Sequence, residues 1–140
     1  MLISTEGDAL ADEIEQRLLA DIRASRPQGL NSSLSLALRD EKGGLIAGLS
    51  GSTSYGWLLV KVLFVAPEHR GKGHGRALMA DAEAEAGRGG CHGVWLDTSM
   101  PEAEGFYRRL GYVTFGVLEN RPGDVTPGHR RWFLAKRLAG

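Results

Sequence analysis

The residues of this 140-residue chain best equipped for chemistry sit in one decapeptide, His69-Arg70-Gly71-Lys72-Gly73-His74-Gly75-Arg76-Ala77-Leu78. Its glycines let the backbone turn several N–H groups toward one point, and a helix starting behind them adds the partial positive charge of its N-terminus. Arg70, Lys72 and Arg76 bring full charges to the same turn, which strengthens hydrogen bonds to an anion. The chemistry implied is phosphate binding; the alternative is a flexible basic loop with no ligand. Two nucleotide patterns fail on residues. In G-x-G-x-x-G the final glycine position falls on Arg76 counted from Gly71, and on Leu78 counted from Gly73. A P-loop needs Ser or Thr after its lysine, and Lys72 is followed by Gly73.

The flanking segments position this loop. The run Trp57–Val65 is apolar on both faces apart from Lys61, the pattern of a strand covered on both sides. It enters the loop through Ala66-Pro67-Glu68. Beyond the loop, Leu78–Ala86 reads as a helix with Leu78, Met79, Ala82 and Ala86 on one face and Asp81, Glu85 and Arg88 elsewhere. Gly87, Gly89 and Gly90 end it. Upstream, Ala9–Arg23 is an amphipathic helix striped by Leu10, Ile14, Leu18 and Ile22, with Asp8 as its N-cap and Pro27 and Gly29 closing it. Strands Leu34–Arg39 and Leu45–Gly51 flank the hairpin turn Asp40–Gly44. Downstream come a strand, Gly93–Thr98, and a short helix, Pro101–Leu110. A Ser99–Glu102 capping box opens that helix and Gly111 stops it. Tyr112–Leu118 and Arg131–Leu138 form a closing strand pair around the polar loop Glu119–Arg130. The class is α/β, with a mixed, mostly antiparallel sheet that turns parallel where helices make crossovers. No repeat or linker divides the chain, so residues 1–140 are expected to form one domain.

Arg70-x-x-Gly73-x-Gly75, set between an apolar strand and an amphipathic helix, resembles the acetyl-CoA signature of the GNAT N-acetyltransferases. Two further matches extend the likeness over most of the chain. Trp95-Leu96-Asp97-Thr98 looks like the family's fifth strand, and Gly105-Phe106-Tyr107-Arg108-Arg109-Leu110-Gly111-Tyr112 looks like its F-Y-x-x-x-G-[FY] helix end. An obvious first strand is missing, and one helix stands where the family often has two. The resemblance implies a GNAT fold in which the strands around Trp57–Val65 and Trp95–Thr98 splay to form an acetyl-CoA slot. It assigns the coenzyme pyrophosphate to Arg70, Gly71, Lys72, Gly73, His74, Gly75 and Arg76, and pairs the backbone of Leu63, Phe64 and Val65 with the pantetheine arm. Tyr107 would protonate the leaving thiolate, or else only pack. The implied activity is acetyl-CoA-dependent N-acetylation by direct transfer in a ternary complex, to a small-molecule amine or a peptide or protein amine. The alternative is an acyl-CoA-sensing module of the same fold without catalysis. Members are often dimers, so a homodimer is among the assemblies the resemblance allows.

Other reactive residues carry less information. A family glutamate on the central strand corresponds to Leu59, so no general base is assigned. Lys61 either binds an acidic acceptor or extends to the strand's edge. Glu68, Asp97, Glu102 and Glu104 are read as surface or capping carboxylates, and a water chain is a further route for the proton. Cys91 and His92, adjacent in a strand entry, point to opposite faces and make no dyad. The four histidines have no metal-ligand spacing, so no metal is expected. Arg130-Arg131 is read as a solvated pair, with an acceptor or dimer surface as the alternative. Lys+Arg and Asp+Glu are each 17, a zero net charge that disfavours a dedicated nucleic-acid or anionic-membrane partner. The N-terminus lacks a basic region and an apolar core, no run would span a bilayer, and one cysteine allows no internal disulfide. The cytoplasm is the default compartment.

Overall fold

The computed structural model describes residues 1–25 and 31–139. Helix α1 (Ala9–Ser25) comes first, and β1 (Ser33–Arg39), β2 (Leu45–Ser54) and β3 (Trp57–Val65) follow as an antiparallel meander. Helix α2 (His74–Arg88) carries the chain back, so β4 (Gly93–Thr98) runs parallel to β3. After α3 (Pro101–Arg109), β5 (Val113–Glu119) and β6 (Arg130–Arg137) pair antiparallel, and β6 inserts beside β4. The sheet order is β1-β2-β3-β4-β6-β5. The mixed, mostly antiparallel α/β sheet is as the sequence implies. Pro27 and Gly29, expected to close α1, lie outside the described residues.

Local chemistry sets the turns. The Asp40 carboxylate accepts from the backbone N–H of Lys42 at 2.9 Å and of Gly44 at 2.8 Å, which holds the β1–β2 hairpin. Gly111, at φ +97°, ends α3 as expected. Ser99 does not cap that helix: Met100 is the N-cap with no side-chain hydrogen bond, and Pro101 supplies the start. Helix α2 begins at His74, four residues before the apolar periodicity becomes legible, so His74, Gly75 and Arg76 belong to its first turn.

Leu78, Met79, Ala82 and Ala86 of α2 are buried against Ala47, Leu49, Leu58, Val60, Val94, Leu96 and Leu134 of the sheet. Those four are the face that the sequence marks as apolar. A bulge then changes the sense of β3. Ser50 pairs with Val62 but Gly51 pairs with Val60, so Lys61 is the extra residue. Before it Leu58 and Val60 face the helices; after it Leu63 and Val65 do. Gly51 is required at this point, because a Cβ there would lie 2.4 Å from the carbonyl oxygen of Leu59.

The expectation that β3 is covered on both faces fails. Helices α2 and α3 cover one face of the sheet, while Val62 and Phe64 on the other are exposed. Ile14 and Leu18 of the α1 apolar stripe are 57% and 56% exposed, and no described side chain of α1 is among the buried core residues. An amphipathic pattern identifies a helix's apolar face without saying what covers it. No helix among the described residues is long and apolar enough to cross a membrane.

Glu83 of α2 ties the helix to the far half of the sheet. Its carboxylate accepts from the Tyr112 hydroxyl at 2.8 Å and from Lys136 Nζ at 2.8 Å, and Lys136 lies over the Tyr112 ring. Burial, with the Glu83 hydrogen bond, holds the Tyr112 phenol well above its ordinary pKa. Glu83→Ala leaves a buried hydroxyl and a half-buried ammonium without their acceptor. It should cost about 1–3 kcal/mol, read as a lower urea midpoint at unchanged m-value.

Candidate active site

Strands β3 and β4 pair only through Trp57↔Gly93, Leu58↔Val94 and Leu59↔Trp95, and then separate. From Val60 onward β3 has no β4 partner, so its backbone edge opens on a wedge in the sheet. This is the splayed pair expected around Trp57–Val65 and Trp95–Thr98.

A cavity of about 480 Å³ lies beside the ends of β3, α2 and α3. It is lined by Leu63, Phe64 and Val65, by His69, Arg70, Gly71, Gly73, His74, Gly75 and Arg76, and by Met100, Glu102, Ala103, Phe106 and Tyr107. All of the cofactor-binding residues expected from sequence therefore meet there except Lys72, which is exposed outside its lining. Glu102, expected as a surface or capping carboxylate near the site, is in the lining; Met100, Ala103 and Phe106 were not singled out as cavity residues. The signal available for them was their place in the first turns of the tyrosine's own helix.

The loop's backbone is built for a close ligand. Gly71 and Gly73 take φ of +78° and +84°, a region that side chains avoid. An added Cβ on either would meet nothing within 4 Å, so their outer surfaces are open. Gly73 is the N-cap of α2 and has no side chain to satisfy the first-turn N–H groups, which leaves that helix end available to an anion. Arg70 turns back and donates from Nε to the Val65 carbonyl at 3.1 Å, fixing the loop to the end of β3. Gly75 packs inward, where a Cβ would sit 3.4 Å from the Phe106 ring and 3.7 Å from Val65.

The sequence pattern makes Ala103, Phe106 and Leu110 the α3 stripe and puts Tyr107, about 100° from Phe106, near its edge, but the structure places it deeper. It is the buried residue of that helix, 7% exposed, while Ala103, Phe106 and Leu110 are half-buried around it. Its ring lies 5.1 Å from Phe106 and 5.9 Å from Tyr112, and this aromatic cluster explains the burial. Loss of hydration pushes its phenol up to about 12, so the residue keeps its proton through neutral pH.

The family model described as an acetyltransferase (GNAT) domain matches residues 31–114. Acetyltransferase Atu2258 of Agrobacterium fabrum is 34% identical over 138 residues, which is 98% of each chain. This chain belongs to the GNAT acetyltransferases. Blasticidin-S acetyltransferase of Streptomyces morookaense is 39% identical over 87 residues, covering 61% of this chain and 64% of its own. The crystal structure of an acetyltransferase from Bacillus cereus superposes with a TM-score of 0.85 at 25% identity, covering 99% of this chain and 98% of the other.

GNAT acetyltransferases use acetyl-CoA, and this chain's residues suit that coenzyme. The positive-φ glycines with open outer faces and the uncapped α2 N-terminus fit a pyrophosphate, and the free edge of β3 fits an amide-bearing arm. Of the remaining candidates, Glu102 lines the cavity and several others are engaged elsewhere. Asp97 accepts from Arg131 at 2.7 Å, and Glu104 accepts from Thr114 at 2.7 Å. Arg130 pairs with Glu119 at 2.7 Å, so Arg130 and Arg131 are ion-paired rather than freely solvated. Leu59 and Trp95 pair at the root of the wedge, and Lys61 is exposed at the bulge. Cys91 is half-buried in a separate depression with Ser32, Ser33 and Thr53, where burial pushes its thiol up.

Gly73→Val should weaken acetyl-CoA binding strongly. The branched side chain strains a left-handed position and stands between the ligand and the backbone N–H groups. Calorimetric titration of a variant with native circular dichroism tests this; unchanged affinity would remove the loop from the binding site.

Proposed function

We propose that residues 1–140 act as one domain that passes the acetyl group of acetyl-CoA directly to an amine within a ternary complex. The observation that carries this reading is the single cavity in which the glycine loop, the Leu63–Val65 end of β3 and Tyr107 meet. Acetyl-CoA supplies an activated thioester and a thiolate leaving group. The first-turn N–H groups of α2, with Arg70 and Arg76, hold the phosphates; the free edge of β3 orients the arm, and one of its N–H groups polarises the carbonyl oxygen. Tyr107, protonated and shielded from water, gives its proton to the sulfur as the C–S bond breaks and the N–C bond forms. Water reclaims the amine's surplus proton and the phenol is restored. A small-molecule acceptor is supported by the relative named for blasticidin S, and a peptide amine remains the second acceptor class of the family.

Tyr107→Phe keeps the ring stack and removes the proton donor. We expect kcat to fall by about 10²–10⁴-fold with acetyl-CoA affinity little changed. Undiminished single-turnover chemistry in this variant would take Tyr107 out of the mechanism. Failure of any amine to be acetylated by a correctly folded protein that still binds acetyl-CoA would favour a sensing module.

Because Cys91 lies in a different depression from Tyr107, direct transfer should leave no acetyl-enzyme. Initial-rate plots should intersect rather than run parallel, and Cys91→Ala should remain active. Mass spectrometry after incubation with acetyl-CoA alone is the check. A stoichiometric acetyl adduct on Cys91 that an amine discharges would overturn direct transfer.

A further inference from the structure

The glycine-loop cavity takes much of its lining from α2 and α3, on the helix side of the sheet, whereas the gap between β3 and β4 also opens on the bare face. An amine that meets the thioester without displacing the coenzyme comes from that second side. What the amine carries can be asked of the residues there, on the acetyl-transfer reading given above. Asp97 stands on β4 two residues past Trp95, the last residue that pairs with β3, and so flanks the wedge. Val94 and Leu96 are buried among the core residues of α2, which turns Trp95 and Asp97 to the bare face. On β6 the buried Leu134 likewise puts Arg131, Phe133 and Ala135 on that face, with Phe133 opposite Asp97.

Arg131 donates from Nη1 to Asp97 Oδ1 at 2.7 Å, and a guanidinium has further N–H donors to spare. Among the described residues no other acceptor takes them, and 44% of the Arg131 side chain is exposed. Held at one end by Asp97, the guanidinium keeps its remaining fork in a fixed orientation, which suits a second carboxylate bound through two parallel N–H···O bonds. Lys61, the extra residue of the β3 bulge on the other flank of the wedge, is exposed and has no ion-pair partner among the described residues. Beside the wedge, Lys61 and Arg131 thus outweigh Asp97, and the balance favours an anionic group.

Next to this pair, Trp57, Trp95, Phe115 and Ala135 line a shallow apolar depression of about 440 Å³. Ala135 pairs with Trp95, and the exposed Phe115 ring lies 6.3 Å from that of Phe133, so aromatic surface runs from the depression to the residue opposite Asp97. From Ala135 to Phe133 is two residues of strand, about 7 Å, a span that one small molecule bridges. We propose that the acceptor is an α-amino acid with an aromatic side chain. Arg131 binds its carboxylate, the depression takes its ring, and its amino group enters the wedge. The acetyl group passes from sulfur to that nitrogen, giving an N-acetylamino acid and free coenzyme A. Arg131 touches the substrate; Asp97 acts through Arg131 and is a positioning residue.

Steady-state acetylation of phenylalanine, phenylalaninamide, phenethylamine and alanine tests this. Phenylalanine should exceed the two carboxylate-free amines in kcat/KM by about 10–100-fold, and alanine, which lacks the ring, should also be poorer. Arg131→Leu should raise the KM for phenylalanine with kcat little changed, and the preference for phenylalanine over phenethylamine should shrink toward one. Arg131→Lys should recover part of that preference, and Asp97→Asn should reduce it less than Arg131→Leu does. Four results would overturn the proposal: equal use of phenylalanine and phenethylamine, a preference for phenylalaninamide as a peptide acceptor would give, acetylation of other amines but not of phenylalanine, or an Arg131→Leu variant that slows every amine alike. If no amine at all is acetylated, it is the transfer reading that fails, and calorimetric titration of the coenzyme A-loaded protein with N-acetylphenylalanine decides the site separately. Binding that Arg131→Leu removes supports the carboxylate site; absence of binding to the wild type refutes it.

Discussion

Strand β3 bonds to β4 through three residue pairs and then leaves it, and what lies beyond depends on that parting. The extra residue Lys61 bends and twists β3 away just after the pairing ends. It also rotates the strand's facing by one residue, so Leu63 and Val65 continue the inward face begun by Leu58 and Val60. A regular strand would keep its hydrogen bonds to β4 and present the opposite residues to α2. The bulge therefore provides both a free backbone edge and an apolar wall for the same cavity.

Two tyrosines five residues apart are held in different surroundings. Tyr112 is committed: its hydroxyl donates to Glu83, which also accepts from Lys136, and the three groups lock α2 to the sheet. Tyr107 shares the aromatic cluster but lines the cavity. Burial raises both phenols, yet only Tyr107 is placed beside the glycine loop. Removing water from a phenol that faces a ligand site makes a durable proton store; removing it from one that faces a carboxylate makes a strut.

Much of this was legible locally. Turn residues, the glycine loop and the face Leu78, Met79, Ala82 and Ala86 depend on neighbours in sequence, and they fell where the pattern put them. The start of α2 was missed because His74, Gly75 and Arg76 have poor helix signals, and tertiary contacts such as Gly75 against Phe106 decide the matter. Ser99 looked like a cap, but Pro101 already fixes the helix start. The burial of Tyr107 above Phe106 was not readable because it depends on Tyr112, which approaches from outside the helix. The Arg130–Glu119 and Arg131–Asp97 pairs depend on strand register, which residue types alone do not state.

The hydrogen bond from Arg70 to the Val65 carbonyl joins the glycine loop to the last residue of β3. On the proposed reading, the first would hold the coenzyme's phosphates and the second its flexible arm. Joined this way they form a calliper with a fixed jaw spacing, and a fluctuation that shifts one jaw carries the other with it. A coenzyme ordered at its phosphates by the loop would then find the strand edge already aligned for its arm, so the entropy lost at one part need not be lost again at the other.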